Sequence, residues 1–318
     1  LPFKAIIDKI NEFKPTGKIG DPGIEGLVST FKEVISERSN EAYTEFETLL
    51  QLSLPFKDSI ITAYRDLWKK RQKIEWKAIW PKLLQFCWQI INEPSFWDAS
   101  DEKDSKYCWN NQGIIIQSIS DLIKNGVESE NHSFDKYFLP LSRKILIQIL
   151  ENQKGVKFKF DDNAVSSAIN SPRGNCIQAL INHSLHACRL EDRQKNKRIE
   201  AWNNYEQIYS AELSGVSKNG FEFITLVTMY LRYFMYMSPD WVFKNLIYIF
   251  DESNYEQWLS AIQGYSHMDY VYEEIFNYLK ESNQFIKILD DANLDDRNKE
   301  KAIQNIVVAF LNDFEELN

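Results

Sequence analysis

Apolar side chains recur at three- and four-residue intervals along most of the chain, the spacing that places them on one face of an α-helix. Four successive stripes show the pattern: 27–35, 43–50, 60–68 and 79–90. Two-residue alternation is confined to a brief segment, KGVKFKFDD at 154–162, for which we expect an extended linker. The periodicity therefore predicts an all-α fold.

Serine-proline pairs punctuate the pattern as helix starts. Ser171-Pro172 and Ser238-Pro239 each place a hydroxyl at an N-cap and a proline at the first helical position, so we expect helices to begin near Pro172 and Pro239. We also expect Asp161 or Asp162 to cap a helix through 163–169. Gly174, in the first turn after Pro172, allows another backbone to approach closely.

Helix, short turn and helix alternate along the whole chain, without an exact sequence repeat. Ser253 and Glu256, for example, have the spacing of a capping box between two such helices. This order predicts a curved α-solenoid of degenerate antiparallel helix pairs, of the HEAT or TPR kind. We divide it into an N-terminal helical-repeat part, 1–155, and a C-terminal part, 156–318, continuous with the first.

The most apolar segment is FEFITLVTMYLRYFMYM, residues 221–237. It is slightly shorter than the roughly 20 residues of a membrane span, and it contains Glu222 and Arg232. We therefore expect a central helix packed on both sides and no membrane partner. Inside such a helix Arg232 needs an acidic or carbonyl partner, because an unpaired buried charge is strongly destabilising.

Composition narrows the class of protein. The chain has only 11 glycines and 9 prolines, fewer than tightly turned α/β enzymes use. Its length of 318 residues suits two domains or one elongated array. A net charge of −9 argues against a nucleic-acid groove. Four cysteines without a CxxC pair, and no signal-peptide pattern, predict a cytoplasmic protein. Because the chain begins at Leu1-Pro2, we expect a fragment of a longer protein.

The stretch 161–189 contains the residues best suited to bind a metal or to act as a nucleophile. They are Cys176, His183, His186 and Cys188, and they lie on one predicted helix. A helical wheel buries two faces of this helix and exposes a third, and it turns Cys188 away from the two histidines. Structural zinc sites take four ligands, often in paired motifs, and no second motif is present. We expect these four residues to be structural, without a metal.

Enzymatic chemistry is not indicated elsewhere. The chain has no phosphate-binding loop, no GxGxxG and no HExxH motif. A cysteine nucleophile on a buried helix face would lack a cleft and oxyanion donors. We therefore predict a non-enzymatic chain without a cofactor; a cryptic metal-dependent hydrolase is the least favoured alternative.

Three residues are candidates for binding a partner. Trp97 and Trp109 lie in an acidic, loop-like segment, 92–113, whose aromatic side chains either bind a ligand or fold back onto the core. Arg173 follows the corner at Pro172, where it either braces the corner through an ion pair with Asp161 or Asp162 or contacts a partner.

Several segments resemble the long helical C-terminal regions of large bacterial proteins. DDNAVSSAINSPRGNCIQALINHSLHACR, 161–189, is similar to their pattern D…A-INS-x-RG-x-A-x-x-A-L, with Arg173 and Gly174 at the matching positions. Segments 226–250 and 255–279 resemble their D-x-x-W turn and their W-x-x-A-W-x-x-Y segment, and 21–43 and 54–76 resemble earlier segments. The chain departs from the pattern where small alanines are expected, at Asn175, Cys176 and His183.

Such regions belong to antiphage defence proteins, including Avs-type STAND NTPases and sirtuin-linked proteins. The resemblance implies a helical region that recognises a protein ligand, which we expect to be a phage protein, and that regulates an attached effector. The NTPase or NADase module would then lie outside this chain. The alternative is a structural scaffold, with oligomerisation through the parent protein.

Overall fold

A computed structural model describes the following residues: 1–15, 23–98, 112–156, 163–195 and 197–314. These described residues form helices joined by turns and contain no β-strand, apart from an isolated antiparallel bridge between Ser129 and His132. The predicted all-α fold is confirmed. The curvature of a solenoid, and the continuity of its two parts, stay predictions.

The chain divides into two compact units, Leu1–Gln153 and Lys154–Asn318. The described helices of the first unit are α1 (Phe3–Glu12), α2 (Ile24–Glu37), α3 (Ser39–Ala42), α4 (Phe46–Leu49), α5 (Leu54–Lys69), α6 (Trp76–Asn92), α7 (Pro94–Asp98), α8 (Gln112–Val127) and α9 (Leu139–Asn152). Two 3-10 helices, Tyr43–Glu45 and Lys136–Phe138, precede α4 and α9.

The described helices of the second unit are α10 (Ala164–Asn170), α11 (Pro172–Lys195), α12 (Arg198–Trp202), α13 (Glu206–Ser214), α14 (Val216–Asn219), α15 (Glu222–Met229), α16 (Leu231–Met237), α17 (Pro239–Ile249), α18 (Tyr255–Tyr265), α19 (Glu273–Glu281), α20 (Gln284–Asp290) and α21 (Asp296–Leu311).

In the first unit, α5 packs between α2 and α8, and α6 packs against α4, α7 and α9. Polar atoms of aromatic side chains tie these helices together: the Tyr64 hydroxyl donates to the Ser39 carbonyl over 2.7 Å, and the Trp68 indole donates to the Asn125 carbonyl over 2.9 Å. The rings of Phe46 and Phe86, 5.0 Å apart, join α4 to α6. Phe46 also lines the groove described below.

In the second unit, α11 contacts α10, α12, α15 and α16. Every residue from Cys176 to Cys188 is buried, including Gln178, Asn182 and His186. The expectation that this helix exposes one face is therefore wrong. Neighbouring helices cover the polar side as well as the apolar one, which a wheel of the isolated helix cannot reveal.

The apolar segment 221–237 forms two helices, α15 and α16, with a break at Tyr230. The single central helix predicted there is wrong. Arg232 is exposed and needs no buried partner, whereas Glu222 is completely buried. Among the described residues, no helix combines the length and the apolar character needed to cross a membrane.

Helix starts are the best-predicted local features. α11 begins at Pro172 and α17 at Pro239, as predicted, and the Ser171 Oγ accepts a hydrogen bond from the Gly174 N–H at 2.9 Å. Two predicted caps are wrong by one or two residues. Asn163, rather than Asp161 or Asp162, caps α10, and Asn254, rather than Ser253, caps α18.

Candidate functional site

Arg173 forms a buried ion pair with Glu212. Arg173 lies in the first turn of α11, Glu212 lies in α13, and their side chains are 2% and 11% exposed. A cation near a helix N-terminus opposes the helix dipole, and the carboxylate of Glu212 offsets this. The predicted bracing ion pair is present with a different acid, while Asp161 and Asp162 lie outside the described residues. The guanidinium of Arg173 is buried, so its charge is not accessible to a partner in this conformation. A contact between Arg173 and a partner stays a prediction.

Glu222, at the start of α15, is a second buried carboxylate near this pair. Its Oε1 accepts hydrogen bonds from the Val156 N–H at 2.8 Å and from the Ser171 Oγ at 3.3 Å. Within the described residues its Oε2 has no hydrogen-bond donor. Burial raises the pKa of Glu222, although the Val156 N–H and the nearby Arg173 charge act in the opposite direction. Gly220 approaches this carboxylate with a φ of 101° that favours glycine.

Two carboxylates and a guanidinium at one place resemble an acid–base centre, but all three side chains are buried. They brace helices: Arg173 and Glu212 join α11 to α13, and Glu222 joins α15 to Val156 and Ser171. A substrate would have no access to them. The cluster is therefore best understood as structural.

The cysteines and histidines of α11 are also enclosed. Cys176, His183 and Cys188 are completely buried, and the Nδ1 of His183 lies 2.9 Å from the Tyr205 hydroxyl. Burial raises the pKa of the Cys188 thiol to about 12, which keeps it protonated and poorly nucleophilic. In the described part of the chain, no three His, Cys, Asp or Glu side chains are grouped to hold a metal ion.

Of the two candidate tryptophans, Trp97 belongs to the short helix α7, and Trp109 lies outside the described residues. The Trp97 ring is half-buried against Phe96, with ring centroids 4.9 Å apart, and its indole donates to the Ile91 carbonyl over 2.6 Å. Trp97 thus packs partly onto its own unit. Whether it binds a ligand stays a prediction.

The first unit carries an open groove that was not predicted from the sequence. Its volume is about 340 Å³, within the range of ligand clefts. One wall comes from the 3-10 helix Tyr43–Glu45 and the start of α4, and the other comes from α6. The groove is lined by Tyr43, Thr44, Phe46, Glu47, Pro81, Lys82, Gln85 and Gln89.

The α6 wall combines an apolar ring with amide side chains. Pro81, Gln85 and Gln89 are four residues apart and so follow one strip of the helix. The ammonium of Lys82 lies 5.1 Å from the centre of the Tyr43 ring, a cation–π contact across the groove. Glu47 adds a carboxylate to the opposite wall. The groove therefore offers aromatic, amide and charged groups to a ligand.

Sequence reasoning missed this groove because its two walls come from separate elements. A proline inside the helical stripe at 79–90, followed by glutamine at both i+4 and i+8, was the one available indication. Proline cannot donate an N–H within a helix and is disfavoured inside one, and Pro81 is exposed in α6.

Comparisons with protein-family models, with curated proteins and with solved structures find nothing that matches this chain. The resemblance to antiphage defence proteins therefore rests only on the segments quoted above.

Proposed function

We propose that this chain is a non-catalytic helical region that recognises an extended segment of a protein ligand. The groove between Tyr43–Glu47 and Pro81–Gln89 carries the proposal. By resemblance, the ligand is a phage-encoded protein, and binding regulates an effector attached to this region in bacterial antiviral defence.

The lining of the groove supports a peptide ligand. A primary amide donates and accepts hydrogen bonds, as a peptide group does. Gln85 and Gln89 are one helical turn apart, about 6 Å along the axis. Alternate residues of an extended chain are separated by a similar distance, about 6.6 Å. The two amides can therefore pair with alternate peptide groups of one extended segment, while Tyr43 and Pro81 contact its side chains.

Regulation by such a ligand has an energetic condition. Binding shifts an effector between inactive and active states only if the ligand prefers one of the two states. A groove formed by two separate elements suits this condition, because a change in the distance between α4 and α6 would alter both walls at once. We therefore expect ligand affinity to depend on the state of the effector.

Panning a random-sequence peptide library against the purified chain tests the groove. We expect enriched peptides whose affinity falls about tenfold in the Gln85→Ala/Gln89→Ala variant, because two amide pairs are lost. Gln207→Ala, at an exposed helical position in α13, is the matched control and should change nothing. Peptides that bind the double variant as well as the unmodified chain would contradict the assignment.

The role in defence needs a cellular test. In the parent protein, deletion of residues 1–318 should abolish protection against the phages that the intact protein restricts, and Gln85→Ala/Gln89→Ala should reduce it. Protection at full strength after the deletion would refute the sensor function. Loss on deletion with full retention in the double variant would place recognition outside this groove.

A further inference from the structure

The helix α21 buries asparagine and alanine side chains and exposes most of its larger apolar ones. It packs on α19 and α20, and the side it buries carries Asn298, Ala302, Asn305 and Ala309. Its larger apolar residues face solvent instead: Ile303 and Val307 are 50% exposed, Phe310 is 39% exposed and Leu311 is 71% exposed. An amphipathic surface helix normally places such residues toward its core. A contiguous apolar face of this kind marks an interaction surface.

The exposed apolar residues have the spacing of a coiled-coil seam. The apolar Ile303, Val307 and Phe310 follow the exposed Glu300 at intervals of three, four and three residues. This is the a/d repeat that lets two helices pack knobs into holes. Val308 is also exposed but lies about 140° from Ile303 and about 160° from Phe310 around the helix axis, outside the seam. The surface therefore fits a single partner helix.

The charges beside the seam favour a second copy of α21 in antiparallel orientation. Lys299, Ile306 and Asp313 succeed one another at seven-residue spacing, and Lys299 and Ile306 share one flank of the seam. Asp313 follows the last turn of the helix. When two copies run antiparallel about Ile306, each Lys299 lies level with the partner's Asp313, just past the C-terminal end of the partner helix, where negative charge attracts a cation.

The antiparallel arrangement also brings apolar side chains of the two copies into contact. In this register Ile303 packs against the partner subunit's Val307, and the pair is repeated by the two-fold axis. A parallel pair would instead oppose Glu300 to the partner's Glu300, and Lys299 would face an uncharged glutamine, the partner's Gln304. Like charges at a seam position oppose association, so the antiparallel order is the favoured one.

We infer that two copies of this chain associate through their α21 helices, packed antiparallel along the seam formed by Ile303, Val307 and Phe310. The contact is isologous: the same surface of each copy contributes, and the assembly closes as a dimer. It lies on the second unit, whereas the proposed ligand groove lies on the first.

Sedimentation velocity of the chain over a range of concentrations tests the association. We expect a reversible monomer–dimer equilibrium. Val307→Asp, which places a charge at the centre of the seam, should weaken it at least about tenfold. Val308→Asp introduces the same charge at the adjacent position of the same helix, outside the seam, and should leave the equilibrium unchanged.

Cross-linking tests the orientation. Ile306 lies on the two-fold axis of the antiparallel pair, so Ile306→Cys should give a disulfide-linked dimer under mild oxidation, and Val308→Cys should not. The Val308→Cys chain also reports any linkage through the four cysteines already present. Lys299→Glu should weaken the dimer, most strongly at low salt, because it faces the partner's Asp313.

Three results would overturn the inference. The first is a chain that stays monomeric at high concentration. The apolar face of α21 would then bind a different protein or another part of a longer chain. The second is a dimer dissociation constant that Val307→Asp and Val308→Asp change equally. The third is cross-linking through residue 308 in preference to residue 306. Because peptide binding in the groove is measured separately, either proposal can fail without the other.

Discussion

Replacement of Arg173 by alanine offers the sharpest test of how the second unit is held together. The Arg173 and Glu212 side chains are 2% and 11% exposed, so neither is screened by solvent. Removal of one partner from a buried ion pair costs about 3–5 kcal/mol, because the other charge is left without compensation. Arg173 is also among the largest fully buried side chains, so the substitution leaves a cavity as well.

The expected loss is a large part of the stability of a domain, which is about 5–15 kcal/mol. A loss of about 3–5 kcal/mol corresponds to a fall in melting temperature of about 6–20 °C for a domain of this size. Urea unfolding followed by circular dichroism measures the loss in the free energy of unfolding. Lys197→Ala is the control, since the Lys197–Glu200 pair is exposed and such pairs contribute about 0–1 kcal/mol.

A second comparison separates charge from volume. Arg173→Met keeps most of the side-chain volume but still leaves Glu212 uncompensated, so it should remain strongly destabilising. Arg173→Met/Glu212→Gln removes the uncompensated charge and should recover part of the loss. If Arg173→Ala costs no more than Lys197→Ala, the bracing role is wrong. A variant that keeps its melting temperature but loses ligand binding would show that Arg173 contacts the partner instead.

Four further results are expected. Burial raises the pKa of Glu222 above its ordinary 4.5, so the folded chain holds this proton to higher pH than the unfolded chain. Stability should therefore decline as pH rises from the unfolded value through the folded one, and Glu222→Gln should remove this decline in urea unfolding measured against pH. Gly174→Ala should destabilise by about 1–3 kcal/mol, because its methyl group would overlap the Ala168 carbonyl, whereas Gly26→Ala, with open space around it, should stabilise α2 by about 0.5–1 kcal/mol in the same assay. Mass-spectrometric mapping should find Cys188 alkylated at mildly alkaline pH only after unfolding, since its pKa is about 12. Elemental analysis of the purified chain should find no stoichiometric zinc or iron, and a metal located at His183 and His186 by anomalous scattering would contradict this.

Local features of this fold could be predicted from the sequence because their causes are local. A proline after a serine fixes a helix start, so the beginnings of α11 and α17 fall at Pro172 and Pro239. The helical class follows from apolar spacing alone. Even here, competition among neighbouring cap residues displaced two caps, to Asn163 and Asn254.

Features that depend on packing could not be predicted in this way. The segment 221–237 is uniformly apolar, and nothing in its sequence indicates that a break at Tyr230 would bury Glu222 and expose Arg232. Glu212 lies 39 residues after Arg173, so their pairing is set by how α11 meets α13. The groove likewise exists only once α4 and α6 are adjacent. Helix periodicity determines which residues share a face, but not what covers that face.

The burial of α11 from Cys176 to Cys188 has a consequence for how the second unit forms. Its neighbours α15 and α16 span only eight and seven residues, and isolated helices of such length are marginal in water. Each of these short helices therefore depends on α11, and α11 depends on them to cover its polar and apolar sides. During synthesis, α11 leaves the ribosome before α12, α15 and α16, so the surface that these three helices cover stays open until they are made. In the finished unit, the amide protons of α11 should be among the slowest to exchange with solvent deuterium, because they are released only when the whole unit unfolds.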